Sequence, residues 1–296
     1  MDKSGGISSH GVVSLVRRAL GTRSVGHAGT LDPMATGLLV LGVGQGTKLL
    51  NYLVADDKRY RATVRLGTVT DTLDAEGRVT ATEAVPEGLT TNDVEQAAQG
   101  FVGRFEQRVP DVSAIKRDGE PLYRKVRRGE VVDAPSREVT LHAIDVLSFD
   151  GREIELAVHT GKGFYVRSLA RDLGERLGTV AHLGVLRRLT SGVHDVQQAL
   201  GLARVRAARD DEEAAGEVRA ALLPLSQAVG FMRCATVDAT GCADLSHGRV
   251  ASAETVVGGS VEPGQGPIAF LSEQGALVAI GMCDDAGLHT KRGFPA

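Results

Sequence analysis

The sequence predicts an α+β main domain followed by a small β-rich domain. Three observations carry this expectation. Two segments alternate apolar and polar residues as half-buried strands do, and two others repeat apolar residues at helical spacing. Beyond about residue 230 the pattern shifts to short strands separated by Gly/Pro turns. The 296 residues are 42% apolar and 24% charged, a balance that supports a real core and excludes a disordered, collagenous or coiled-coil chain.

Taken in order, Ser8-Ser9 reads as a helix N-cap. Val12, Val13, Leu15, Val16 and Leu20 follow at helical spacing, and Gly21 ends the helix. A Gly-rich, non-helical segment runs from Gly26 to Gly46. Tyr60, Ala62, Val64 and Leu66 alternate with Arg61, Thr63 and Arg65, which gives a strand with Tyr60 at the head of its apolar face. Ile154, Leu156 and Val158 mark a second strand. A Gly-Lys-Gly turn then leads into a helix with Val166, Leu169, Ala170, Leu173 and Leu177, closed by Gly178. Val205 to Ala221 is Ala/Arg/Glu-rich, a surface helix or linker. Ile268 to Leu271 and Ala276 to Ile280 are strands of the last part. The expected division is 1–204, a linker at 205–229, and 230–296.

Composition excludes several function classes. The longest apolar runs, such as Leu38 to Val43, are far short of the roughly 20 residues a membrane span needs. Asp2-Lys3 leads into Ser and Gly, not the apolar core of a signal peptide. Cys234, Cys242 and Cys283 lack CxxC spacing and read as reduced thiols of a cytoplasmic protein. The net charge is −3, yet Arg104 to Arg137 carries nine Lys/Arg against six Asp/Glu, so net charge does not decide against RNA. Gly42-Val-Gly44-Gln-Gly46-Thr-Lys48 fails as a phosphate loop, because the order is Gly-Thr-Lys and a third dinucleotide glycine is replaced by Thr47. HExxH, GxSxG and EF-hand patterns are missing, and His10 and His27 have no Cys nearby. No cofactor and no metal site is expected.

The informative segment is Gly26-His-Ala-Gly-Thr-Leu-Asp32-Pro-Met-Ala-Thr-Gly37. Asp32 has two readings: an Asx turn or cap ahead of Pro33, or a carboxylate held on a constrained loop at the floor of a cleft. Lys58-Arg59-Tyr60 ahead of Leu66-Gly67, and Gly163-Phe-Tyr165-Val-Arg167 at a helix start, add further candidates. In isolation Tyr60 is equally a core aromatic.

Together these resemble the TruB-type family, the synthases that make pseudouridine 55 in the T loop of tRNA. The resemblance runs through GHAGTLDPMATGLL and DKRYRATVRLGTVTDTLDAEG, then Gln107-x-x-Pro110 with Ser113-Ala-Ile-Lys116, Tyr123 and Arg127-Arg-Gly129. It continues through Gly163-x-Tyr165-Val-Arg167-Ser-Leu and Ala181-His182 ahead of Leu186-Arg-Arg-Leu189, and covers roughly residues 2 to 192. Leu245-Ser-His-Gly248-Arg and Ala276-Leu-Val-Ala-Ile-Gly281 are similar to a small PUA-type RNA-binding domain. Three departures stand out. Ser4 takes the place of a Pro, Val109 and Val112 stand where the family tends to have Pro and an aromatic, and an apolar strand leading into Asp2-Lys3 is missing.

The resemblance implies a mixed central sheet with flanking helices and a PUA-like C-terminal domain. It implies an isomerase that breaks the N1–C1′ bond of uridine, turns the uracil and rejoins it through C5. Such a reaction needs a nucleophile that can add and leave, for which a carboxylate serves, and no cofactor. By resemblance Asp32 is that nucleophile, and Arg167 is the partner that keeps it charged and oriented. An Arg in a first helical turn is poorly placed against the helix dipole, so pairing with Asp32 gives it a purpose. Tyr60 is implied to stack on the flipped base and to accept a proton, His27 to fill the space the base vacates, and Tyr165 and Leu186 to line the base pocket. The expected partner is the tRNA T-arm, with no guide RNA, obligate protein partner or membrane.

Overall fold

Alternation is the strongest local signal in the chain, and it becomes the centre of the main sheet. In the strand Lys58–Leu66 every second residue, including Tyr60, Ala62 and Val64, is buried while Arg59, Arg61 and Arg65 are exposed. The computed structural model describes residues 1–54, 57–113, 116–117, 120–121, 128, 130 and 134–294. Ala114, Ile115, Tyr123, Arg127 and Gly129 of the sequence motifs lie outside the described residues.

The main sheet runs in the order Asp2–Lys3, Thr36–Leu38, Ala181–Ser191, Lys58–Leu66, Glu153–Thr160, Ser136–Phe149, Gly103–Arg108. All pairs are antiparallel except Thr36–Leu38 beside Ala181–Ser191, so the sheet is mixed, as expected. The helix Val166–Arg176 packs on the two strands at its centre and buries Leu169 and Leu173 completely. Each such leucine contributes roughly 1.5–3 kcal/mol. The helix Thr91–Gln99 starts at a capping box of Thr90 and Asp93 and covers the strand Ser136–Phe149.

Contacts divide the chain into two units. One comprises Met1–Ser14, His27–Val40 and Tyr52–Leu202, and the other Leu15–Gly26, Leu41–Asn51 and Ala203–Ala296. The second unit has a sheet ordered Val256–Gly258, Arg233–Val237, Ile268–Ser272, Leu277–Asp284, Gly287–Gly293. Its core gathers Val237, Leu245, Ile268, Phe270 and Leu288. Among the described residues no helix is long and apolar enough to cross a membrane.

Several elements differ from expectation. The first helix is Ser9–Ala19, and only Ser8 caps it, its hydroxyl accepting the Gly11 N–H at 3.0 Å. Ser9 is spent elsewhere. The Gly-rich segment resolves into the strands Val25–Ala28, Thr36–Leu38 and Val40–Val43, with a 3-10 helix from Gly44 to Leu49. Asp2–Lys3 is a two-residue edge strand opposite Leu38 and Gly37, although no apolar run marks it. The stretch after Val205 is two helices, Leu202–Ala207 and Glu212–Ala220, the second capped by Asp211.

Gly37 is where this sheet is closest. It has φ +95°, and a Cβ there would collide with the carbonyl oxygen of Arg188 and lie 2.8 Å from its nitrogen. Gly151 has a similar φ of +96° with open space around it. We predict that Gly151→Ala costs about 1–2 kcal/mol of stability. Gly37→Ala should cost at least about 2 kcal/mol more, because backbone cannot step aside as a side chain does. Urea unfolding midpoints of the two variants test this, and equal losses would mean the strands separate freely at Gly37.

Candidate active site

The loop carrying Asp32 is short and has little secondary structure, so its conformation depends on what grips its main chain. Asp32 begins a turn in which Ala35 N–H donates to the Asp32 carbonyl at 3.1 Å, with Pro33 at the second position. Buried Ser9 holds both main-chain groups of Leu31: its hydroxyl donates to the Leu31 carbonyl at 2.9 Å and accepts the Leu31 N–H at 2.8 Å. Lys3, fully buried, donates its ammonium protons to the carbonyls of Ser4, Pro33 and Ala35 at 3.0, 3.0 and 2.6 Å. Burial lowers the Lys3 pKa to about 8, which still leaves it charged at neutral pH. Arg188, 1% exposed, donates from Nε to Leu38 at 2.6 Å and from Nη2 to Gly29 at 3.2 Å. The loop is thus held on both flanks and at its apex.

The side chain of Asp32 is spent on Arg167. Nη2 donates to Oδ1 at 3.3 Å, and Nε lies 2.9 Å from Oδ2 as a charge contact without hydrogen-bond alignment. Arg167 also donates to the carbonyls of Thr72 at 2.8 Å and Val112 at 3.1 Å, and its Nη1 stands 3.7 Å from Asp74 Oδ2. Arg167 is 5% exposed, so it is buried despite standing in a first helical turn. Asp74, also buried, accepts from the Thr72 hydroxyl at 2.6 Å and the Glu76 N–H at 3.1 Å. Between Thr72 and Asp74, Leu73 adopts φ +61°, a left-handed conformation that costs a bulky residue on the order of 1–3 kcal/mol. That turn presents a carbonyl and a carboxylate together to one guanidinium.

Around this pair the other sequence-predicted residues fall as follows. Tyr60 is buried opposite Arg188 in register. Burial pushes its phenol pKa up, and the Arg188 guanidinium beside it works the other way. Tyr165 immediately precedes the Arg167 helix, its N–H and carbonyl held by the Gln107 side-chain amide at 2.9 and 3.1 Å. Burial raises its pKa as well, opposed by Arg137 and Arg167, and it feels the charge of Asp32. Leu186 is buried opposite Ala62, two residues from Arg188, and so shares the Tyr60 face of the sheet. His27 lies in the strand Val25–Ala28. Burial lowers its pKa, Arg188 and His10 add to that, and its buried Nδ1 has no hydrogen-bond partner among the described residues. Asp32 and Arg167 are in direct contact, and Tyr60 and Tyr165 both sense the Asp32 charge.

Ser9 is read from the sequence only as a helix cap, and Lys3, Asp74 and Arg188 received no role in the site. A signal existed for two of them. Asp74 sits in the acidic, Gly-terminated LDAEG turn, and Arg188 is one of two charges set between leucines in the Leu-Arg-Arg-Leu run. Among the described residues one group has a metal-ligating donor set, Asp57 with His142 and His159.

Comparison with known proteins places this geometry. The sequence model described as TruB family pseudouridylate synthase (N terminal domain) matches residues 17–166, and that of the tRNA pseudouridylate synthase B C-terminal domain matches residues 167–230. A protein named tRNA pseudouridine synthase B from Leifsonia xyli subsp. xyli is 40% identical, with 100% of this chain and 95% of the relative covered. One of the same name from Corynebacterium diphtheriae is 40% identical over 94% of this chain and 93% of its own. Among solved structures, a chain in an H/ACA ribonucleoprotein bound to a substrate RNA containing 2′-deoxyuridine superimposes with a TM-score of 0.76. It covers 100% of this chain and 84% of that one, and at 23% identity it speaks for the fold alone.

The loop geometry yields a test. Removing the Ser9 hydroxyl leaves the Leu31 N–H buried without its acceptor, a cost of about 1–3 kcal/mol. Ser9→Ala should therefore lower the unfolding midpoint and speed hydrogen exchange at the Leu31 amide. Unchanged exchange at Leu31 would show that Ser9 does not hold the loop.

Proposed function

Because the chain belongs to the TruB family of pseudouridylate synthases, we infer that Asp32 is the nucleophile of its reaction and Arg167 the charged partner that orients it. The enzyme isomerises uridine to pseudouridine in tRNA. The single observation that supports the assignment is the Arg167–Asp32 contact in a buried setting, with the carboxylate itself partly exposed at 32%. A carboxylate in a closed cleft is pushed toward its neutral form by desolvation, and a guanidinium that cannot deprotonate opposes this.

The steps follow from the chemistry. The target uridine is unstacked and turned into the cleft, where Tyr60 stacks on it and Tyr165 and Leu186 bound the pocket. His27, whose buried Nδ1 is unspent, enters the space the base leaves. Asp32 adds either to C1′, displacing uracil at N1 and being displaced itself when C5 attacks C1′, or to the uracil ring, from which it is eliminated once C5 has joined C1′. The C5 proton passes to the Tyr60 oxygen, acting as a phenolate beside the Arg188 guanidinium, and N1 takes up a proton in exchange. Burial disfavours a phenolate and leaves the Tyr60 pKa above its usual value, the charge of Asp32 adds to this, and the Arg188 guanidinium offsets part of it. The reaction is redox-neutral and balances without an added group.

We place the target at position 55 in the T loop, with no guide RNA or obligate protein partner, in a cytoplasmic enzyme. Residues 230–296 act as a PUA-like RNA-binding domain, a reading supported by the five-stranded sheet of this region. Incubating the purified protein alone with an unmodified tRNA transcript and mapping pseudouridine by position tests the target and the independence together. Product only after a second RNA is added would favour a guide-dependent enzyme.

Asp32→Asn keeps the shape of the side chain and removes the nucleophile. We expect it to abolish pseudouridine formation while tRNA affinity changes by less than tenfold, about 1.4 kcal/mol. Clear turnover by a verified Asn variant would remove Asp32 from the mechanism. Tyr60→Phe separates ring from hydroxyl. If the oxygen takes the proton, single-turnover rates at saturating enzyme should fall by about 100-fold or more. A Phe variant within about threefold of the unmodified enzyme would leave Tyr60 as a stacking platform whose value is roughly 1–3 kcal/mol.

A further inference from the structure

Away from the Asp32 loop, three chain segments bring an unusual set of side chains to one spot on the main sheet. Asp57 immediately precedes the Tyr60 strand, His142 belongs to Ser136–Phe149, and His159 to Glu153–Thr160. The two imidazoles converge on one carboxylate: His142 Nε2 lies 3.2 Å from Asp57 Oδ1 and His159 Nε2 3.8 Å from Oδ2. The ring centroids are 4.8 Å apart and tilted by 43°, and the donor atoms all lie within 4.8 Å of one another.

The backbone is arranged for this convergence. Leu141 pairs with Thr160 and Ala143 with His159, so His142 is the extra residue of a β-bulge. Leu141 and its partner Thr160 are buried, so His142 and His159, the residues next to them, share the more exposed face of the sheet. Asp57 is anchored as well, its carbonyl accepting the Gly192 N–H at 2.8 Å. A cross-strand cation, Arg59, stands opposite His159.

We propose that Asp57, His142 and His159 bind a divalent transition-metal ion of the zinc class, with water completing its coordination. Zinc takes imidazole nitrogen at about 2.0–2.1 Å and carboxylate oxygen at about 2.0–2.2 Å, so tetrahedral ligands stand roughly 3.3–3.5 Å apart. The two nitrogen–oxygen separations bracket that value, and small side-chain rotations close the remainder. Burial lowers the His159 pKa, Arg59 and His142 add to that, and Asp57 opposes it. Arg59 also opposes a dication, and Asp57 supplies the compensating negative charge. Bound metal would clip three neighbouring strands just ahead of Tyr60. It takes no part in the isomerisation as derived above, so this inference stands apart from the reading of Asp32.

The test is calorimetric titration of the metal-free, full-length protein with Zn2+. We expect one ion per chain, with affinity at least tenfold weaker in His142→Ala and in His159→Ala, while both variants form pseudouridine at the wild-type rate without metal. Co2+ provides a check on the unmodified protein, and its spectrum should lack thiolate charge-transfer absorption. Binding that is equal in the wild type and the double variant, no saturable binding at all, or a thiolate band implicating Cys234, Cys242 or Cys283 would each overturn the proposal. In the second case the cluster is an ion pair only.

Discussion

A guanidinium cannot be taken out of water unless every direction around it is answered, and this requirement at Arg167 organises the site. The side chain gathers the Asp32 carboxylate, the Asp74 carboxylate and two main-chain carbonyls. The four partners come from three stretches of chain, so one buried charge ties the Asp32 loop, the Thr70–Gly77 turn and the segment at Val112 to the helix. Removing one partner of such a buried pair costs roughly 3–5 kcal/mol, because the other is left uncompensated. The position at the start of the helix, unfavourable for a cation, is offset by the two carboxylates. The strain at Leu73 belongs to the same arrangement, since the residues on either side of it are those that face Arg167.

The nucleophile proposed at Asp32 needs more than a charged partner, because a carboxylate on a loose loop would pay the ordering entropy at every turnover. Ser9, Lys3 and Arg188 remove that freedom in advance by binding the main chain of the loop. Arg188 does so from a strand whose register puts it beside Tyr60. One residue therefore couples the loop position to the electrostatics of the Tyr60 ring. Substituting it would disturb both at once, which is why Tyr60 and Asp32 variants report on the chemistry more cleanly.

Much of this was legible in the sequence, for a physical reason. The strands Lys58–Leu66 and Glu153–Thr160 bury one face, so period-two alternation writes them plainly. Ala181–Ser191 occupies a central place in the sheet and was not legible as a strand. Its buried set includes His182 and Arg188, which read as polar, and two register shifts break the alternation. Ser136–Phe149 is hidden the same way by two bulges. The Asp32–Arg167 pairing came from family resemblance, since 135 residues separate them and no periodicity connects them. Ser9 illustrates the limit most clearly. Its type and place suit a helix cap, and only the tertiary path of the Leu31 segment diverts it. The histidine pair beside Asp57 is invisible for a similar reason, because its three donors come from three segments and carry no spacing.

The departures from the family pattern can be understood in the same terms. Ser4 and Val112 stand where other residues are usual, and Val112 is a small aliphatic in place of an aromatic. Yet what the site takes from each is a carbonyl oxygen: Lys3 donates to Ser4 and Arg167 to Val112. A main-chain acceptor is indifferent to its own side chain, provided the chain follows the same path. Gly37 is the contrasting case, because there the path itself excludes any side chain. The site therefore tolerates change where it uses backbone as an acceptor, and forbids it where backbone meets backbone or where Arg167 and Asp32 meet as charges.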